Sequence, residues 1–227
     1  MRNRKKSYTR EEFDNNPVMV KNPGENKGKW HKYFNNQNPI HLEIGAGKGK
    51  FINRLAFIQK NINFVALEKQ KEIIVMGTKS YRLMEEKHNN LAYVPGDAAD
   101  ITDIFAPGEV ERLYLNFSDP WFKPRWIKRR LTYKEFLTDY RLILSAAGEL
   151  HFKTDNKNFF NFTLNQLKEE NWHCFFLTTD LHKEEFHIQG HNIVTEYEDK
   201  FSKEGPIYMV KAGFSDSGLY SKNPYSK

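Results

Sequence analysis

Cysteine occurs once in these 227 residues, as Cys174, so neither an internal disulfide nor a cysteine zinc cluster is available. Long apolar runs are also missing. Nothing approaches the roughly 18 consecutive apolar residues that would span a bilayer, and no apolar segment follows the basic residues Arg2, Arg4, Lys5 and Lys6 to form a secretory signal. Membrane insertion and export are therefore not expected, and a reducing cytoplasm is. Charge of one sign is not overwhelming: Lys+Arg 35 against Asp+Glu 29 gives a net charge of +6, mildly basic. What is present is a chain 39% hydrophobic and 15% aromatic, enough for one domain with a substantial core, under a surface drawn from 28% charged residues.

Short apolar runs alternate with longer amphipathic stretches, the pattern of a parallel sheet with crossover helices. Residues 40–44 read as a buried strand, 45–49 as a tight turn, and 50–59 as a helix with Phe51, Ile52, Leu55 and Ile58 on one face. Strands are expected at 63–67, 91–94, around 113–115, at 150–153, around 175–178 and at 206–210, with helices over 71–86 and 159–167. Thr132 with Glu135 has capping-box form and opens a further helix, which Gly148 would end. The expected fold is α/β: a Rossmann-like, mostly parallel seven-stranded sheet with helices on both faces and ligands at the carboxyl ends of the strands. Residues 1–32 read as a basic amino-terminal arm, 33–214 as the folded domain and 215–227 as a polar tail.

Three alternate glycines, Gly45, Gly47 and Gly49, stand where the first strand meets its helix. Glycine allows close backbone approach to a ligand, and the helix start offers unpaired amides. The spacing is not that of a dinucleotide fingerprint, whose last glycine would fall at Lys50. Acidic residues recur at strand ends. Glu43 lies inside an apolar strand, where an unpaired carboxylate is costly, so it should face a cleft holding water or a cation. Glu68 closes the second strand, placed to accept both hydroxyl hydrogens of a ribose, and Asp97 follows the third, placed to accept from an exocyclic amine. Together they describe a nucleoside pocket carrying positive charge, which S-adenosylmethionine fits.

The fourth strand runs into Asn116, Phe117, Ser118, Asp119, Pro120 and Trp121. A carboxylate held beside a proline and followed by aromatics suits a flat base, whose edge the acid binds and whose face the rings cover. The loop continues into Lys123, Arg125, Lys128, Arg129, Arg130 and Lys134, interleaved with Phe122 and Trp126. Cations for phosphates and rings for bases point to nucleic acid. Two more polar sets, 153–156 and 195–198, either cap helices or join the site. The loosely spaced His182, His187 and His191 lack cysteine or acid partners, so no metal site is expected.

On these residues the chain resembles the bacterial tRNA (guanine-N(7)-)-methyltransferase family, over a span from Asn22 to Tyr208. The likeness rests on residues 42–51, on 114–121 with Lys123 and 129–133, on 151–156 and on 195–201. It implies a class I methyltransferase fold that uses S-adenosylmethionine to methylate N(7) of guanine 46 in the tRNA variable loop. It further implies that Glu43, Glu68, Asp97 and Asp119 serve the cofactor, with Asp119 also the active-site acid. Lys123, Asp155, Thr195, Glu196, Tyr197 and Glu198 would meet the substrate, beside Arg129 and Arg130. The family usually has proline after the tryptophan of its D-P-W motif; here that residue is Phe122. A monomer or homodimer without an obligatory protein partner is expected. The residues alone also admit a methyltransferase acting on an exocyclic amine, and an RNA-binding domain without activity.

Overall fold

The computed structural model describes residues 13–82, 89–185 and 192–214. Seven strands make one sheet: β1 (Ile40–Ile44), β2 (Asn63–Glu68), β3 (Leu91–Pro95), β4 (Val110–Asn116), β5 (Leu144–Thr154), β6 (Trp172–Thr178) and β7 (Tyr208–Phe214). The helices are α1 (Trp30–Phe34), α2 (Lys50–Ile58), α3 (Lys71–Arg82), α4 (Ile101–Ile104), α5 (Lys134–Ile143), α6 (Lys157–Glu169) and α7 (Glu196–Phe201). Strand order is β3-β2-β1-β4-β5-β7-β6, with β7 antiparallel to both neighbours. The order reverses between β1 and β4, which opens a crevice at their carboxyl ends.

The period of two in β1 sorts its side chains. Ile40, Leu42 and Ile44 enter the core shared with Leu137 and Tyr140 of α5, Phe159 of α6 and Trp30 of α1. His41 and Glu43 point to the other face. There α2 contributes Phe51, Ile52 and Leu55, and α3 contributes Ile74 and Val75, against Phe64, Ala66 and Tyr93. Helices thus cover both faces, as expected. No helix among the described residues is long and apolar enough to cross a membrane.

Three local expectations change. Residues 13–32, expected as part of an amino-terminal arm, pack onto the sheet: Val20 N–H donates to the Tyr93 carbonyl at 2.8 Å, Met19 bridges to β3, and the fully buried Trp30 donates through Nε1 to the Ile104 carbonyl. An apolar Met-Val pair and a tryptophan outweigh the polar residues between them. Thr132 does not cap α5. Its hydroxyl is buried against that of Thr163 at 2.8 Å, and the open Lys134 amide is met instead by the Gln166 side chain. Gly148 does not end that helix either; α5 stops at Ile143 and Gly148 lies within β5, beside a register shift against β4. Residues 1–12, 83–88 and 215–227, which hold the start of the arm, the end of the second predicted helix and the tail, lie outside the described residues, as do His187 and His191.

Candidate active site

The crevice between β1 and β4 widens into two adjoining cavities. One, of about 690 Å³, is lined by Gly45, Glu68, Asp97, Asp119, Trp121 and Arg129 among others. Its neighbour, of about 450 Å³, is lined by Glu43, Gly47, Gly49, Phe117, Thr195 and Tyr197 among others. Gly45, at the start of the glycine turn, and Phe117 line both. Gly45, Gly47 and Gly49 have φ of 74°, 57° and 72°, in the left-handed region that residues with a Cβ avoid. A Cβ on Gly45 or Gly47 would meet nothing within 4 Å, so these two keep open space beside the backbone, whereas one on Gly49 would collide with the Tyr93 hydroxyl.

Glu68 braces this turn. Its Oε2 accepts from the Gly47 amide at 3.0 Å and its Oε1 from the Gln70 amide at 2.8 Å, and each oxygen keeps a further lone pair for a ligand hydroxyl. Asp97 accepts from the Ala99 amide and pairs with Lys69 at 2.5 Å. Burial raises its carboxyl, but the Lys69 and backbone hydrogen bonds outweigh that and hold it below the usual range.

Glu43 is 3% exposed. Its Oε1 accepts from Asn116 at 2.8 Å, while Oε2 is buried without a partner. Burial pushes its carboxyl from 4.5 up to about 8, although Asn116 and Lys153 pull it down; Glu68 adds to the rise. An orphaned carboxylate oxygen at the back of a glycine-lined cleft is chemically suited to a cation. With the acceptors on Glu68 and Asp97, the residues present fit a nucleoside carrying positive charge.

The loop after β4 is braced from several directions. Phe117 and Trp121 have φ of 52° and 44°, strained values for non-glycine residues, on either side of Asp119. The Arg130 Nε donates to the Pro120 carbonyl at 2.7 Å, and its guanidinium lies 4.4 Å over the Phe162 ring. Arg130, expected at the substrate, is thus engaged in holding the loop. Lys123 and Arg125 lie over the Trp126 ring at 4.8 and 5.1 Å, Arg129 lies over Trp121 at 5.1 Å, and the two tryptophans meet edge to face.

α7 closes the other side. Tyr197 packs on Phe117 at 5.0 Å and on Phe201 at 4.1 Å, which joins this helix to the Asp119 loop. Burial raises the Tyr197 hydroxyl, and nearby Asp155, Glu204 and Asp119 add to it. Asp155, after β5, is exposed on the same rim. Glu196 pairs with Lys48 at 3.1 Å, and Asp199 with Lys50. Thr195 and Glu198 form a reciprocal capping box.

Glu198, expected at the substrate, has no exposed surface in this structure. It accepts from Lys153 at 3.2 Å, His182 at 2.9 Å and Asn192 at 2.9 Å. Burial raises the Glu198 carboxyl, but these partners outweigh it and hold the group ionised. Lys153, itself 3% exposed, sits between Glu198 and Glu43; burial lowers its ammonium despite both carboxylates. From the sequence, Asn116 is named in the loop after β4 and Lys153 in the polar set 153–156, neither with a role of its own. The signal for Lys153 was the same as for Glu43, a charge inside an otherwise buried strand.

Comparison with known proteins agrees with this architecture. A family model described as "Putative methyltransferase" matches residues 37–209. Among solved structures, the 16S rRNA methyltransferase KamB superposes with a TM-score of 0.61 at 13% identity, covering 83% of this chain and 93% of its own. A SAM-dependent methyltransferase from Aquifex aeolicus gives 0.54 at 12%, covering 82% and 87%. At such identities the likeness shows the shared class I methyltransferase fold. A tRNA (guanine-N(7)-)-methyltransferase of Brevibacillus brevis is 49% identical over 197 residues, 86% of this chain and 90% of the relative. One from Lachnoclostridium phytofermentans is 46% identical over 213 residues, 93% and 98% respectively. At that identity, over nearly the full length of both relatives, the chain belongs to the tRNA (guanine-N(7)-)-methyltransferase family.

Proposed function

We propose that this chain methylates N(7) of guanine 46 in the variable loop of tRNA, with S-adenosylmethionine as methyl donor, in the cytoplasm and without an obligatory protein partner. The observation that carries the reading is the single crevice in which the glycine turn, Glu43 and Glu68 adjoin Asp119 and a rim of edge-to-face tryptophans and cations.

Glu68 would hold the ribose hydroxyls, Asp97 the adenine edge, and the open oxygen of Glu43 the positive end of the cofactor. Bound S-adenosylmethionine supplies an electrophilic methyl group on a charged sulfur. Guanine N(7) presents an in-plane lone pair, so no proton has to be removed before it attacks. The residues therefore align rather than deprotonate, a contribution that reaches several kcal/mol (up to about 10) in well-oriented systems. Asp119 binds the Watson–Crick edge of guanine and offsets the charge that develops on the ring. Lys123 and Arg129 hold flanking phosphates, and Asp155, Glu196 and Tyr197 complete the opposite rim.

The test is incubation with methyl-labelled S-adenosylmethionine and unmodified tRNA, then digestion to nucleosides and mass spectrometry. Labelled 7-methylguanosine that vanishes when guanine 46 is replaced is expected. Label in methyladenosine, or no label, would overturn the reading.

A further inference from the structure

Phe122 is the most exposed large apolar side chain among the described residues, at 77%. It stands between Trp121, which lines the larger cavity, and Lys123, on a loop whose backbone is braced on both sides. Trp121 is in the left-handed region, Pro120 is tied to Arg130, and Pro124 opens the 3-10 turn Pro124–Arg129. The neighbouring rings are already used. Trp121 and Trp126 meet each other edge to face, and Lys123, Arg125 and Arg129 cover them. Phe122 has no ring or cation contact among the described residues.

A bare aromatic ring in water is unfavourable, and single exposed apolar residues need no special account when they lie on an indifferent surface. This one lies at the mouth of the candidate active site, surrounded by cations suited to phosphates. A guanine that is to place N(7) deep in the crevice has to leave its stack, which costs a few kcal/mol. We propose that Phe122 is a stacking residue for the RNA substrate: its ring covers the nucleobase left exposed beside the reacting guanine and repays part of that unstacking. The proposal rests on the tRNA reading above and names the contact by which this chain opens its substrate.

Stacking of a base on an aromatic ring is worth about 5- to 150-fold in affinity by alanine substitution. The experiment compares F122A, F122L, F122Y and F122W with wild type in tRNA binding by anisotropy and in methyl transfer under kcat/KM conditions. Cofactor titration serves as the folding control, since Phe122 lies outside both cavity linings. F122A and F122L are expected to lose about 5- to 150-fold in kcat/KM for tRNA, and F122Y and F122W to stay within about threefold of wild type. The dependence of tRNA affinity on salt should be unchanged in F122A, because no charge is lost, and shallower in Lys123→Ala. F122A matching wild type would overturn the proposal, as would F122L matching it, since leucine keeps apolar area without a planar face. Should wild type transfer no methyl to tRNA guanine, the function fails on its own; the anisotropy series still decides whether Phe122 stacks.

Discussion

Replacing Glu43 by glutamine should stabilise the cofactor-free protein while weakening its site, and the balance is set by pH. The carboxyl is buried with one oxygen unpaired, and its pKa rises on folding from 4.5 to about 8. Between those values the native protein binds more protons than the unfolded chain, so stability falls as pH climbs. At about 1.36 kcal/mol for each tenfold change, the penalty is about 1 kcal/mol near pH 5, about 3 near pH 7, and approaches about 5 above pH 9. Glu43→Gln keeps an acceptor for Asn116 and removes the titration. Urea unfolding of both proteins without cofactor, near pH 5 and pH 8, should show the variant gaining about 3 kcal/mol on wild type across that range. Cofactor affinity should behave in reverse: wild type tightens with pH relative to the variant, because a cation at Oε2 favours the ionised acid. A constant offset between the two unfolding series would refute the reasoning. It would mean that Lys153 and Asn116 already hold Glu43 ionised in the folded protein.

Three further outcomes are expected. Lys153→Met leaves Glu198 buried without its ammonium and should cost about 3–5 kcal/mol in urea unfolding, with Lys153→Met/Glu198→Gln recovering most of it; additive losses would show the pair is uncoupled. Asp119→Ala should lower turnover by about 100-fold or more while changing cofactor affinity far less; equal losses would remove Asp119 from the reaction itself. Gly47→Ala should cost about 1–2 kcal/mol from its left-handed backbone, and Gly49→Ala more, because the new methyl meets the Tyr93 hydroxyl as well. Equal melting temperatures for the two would mean that Tyr93 moves aside.

The parts legible in sequence are those decided by neighbours in the chain. The run from Ile40 through the glycine turn to α2 was bounded nearly to the residue, because strand period, left-handed glycines and helical spacing are all local signals. Glu43 could be singled out because a charge in an apolar strand is costly wherever the strand ends up. Thr132 misled for a related reason: the capping pattern was present, but Thr163, 31 residues on, took the hydroxyl. Thr195 and Glu198 show the opposite outcome, with the capping box real and Glu198 also paired with Lys153, a partner 45 residues away that no local pattern announces.

By itself the sequence determined the seven strands with the longer helices between them, the ligand-facing turn and the chemical kinds of group around it, since these follow from periodicity and residue type. Only the tertiary structure decided which charges face the crevice and which face each other. Glu43, Lys153 and Glu198 come from three distant segments, and whether each binds a ligand or a neighbour depends on distances that no local pattern encodes. The same holds for Phe122: its exposure follows from a loop braced by Arg130 and by the strained Trp121, with its neighbouring rings already occupied.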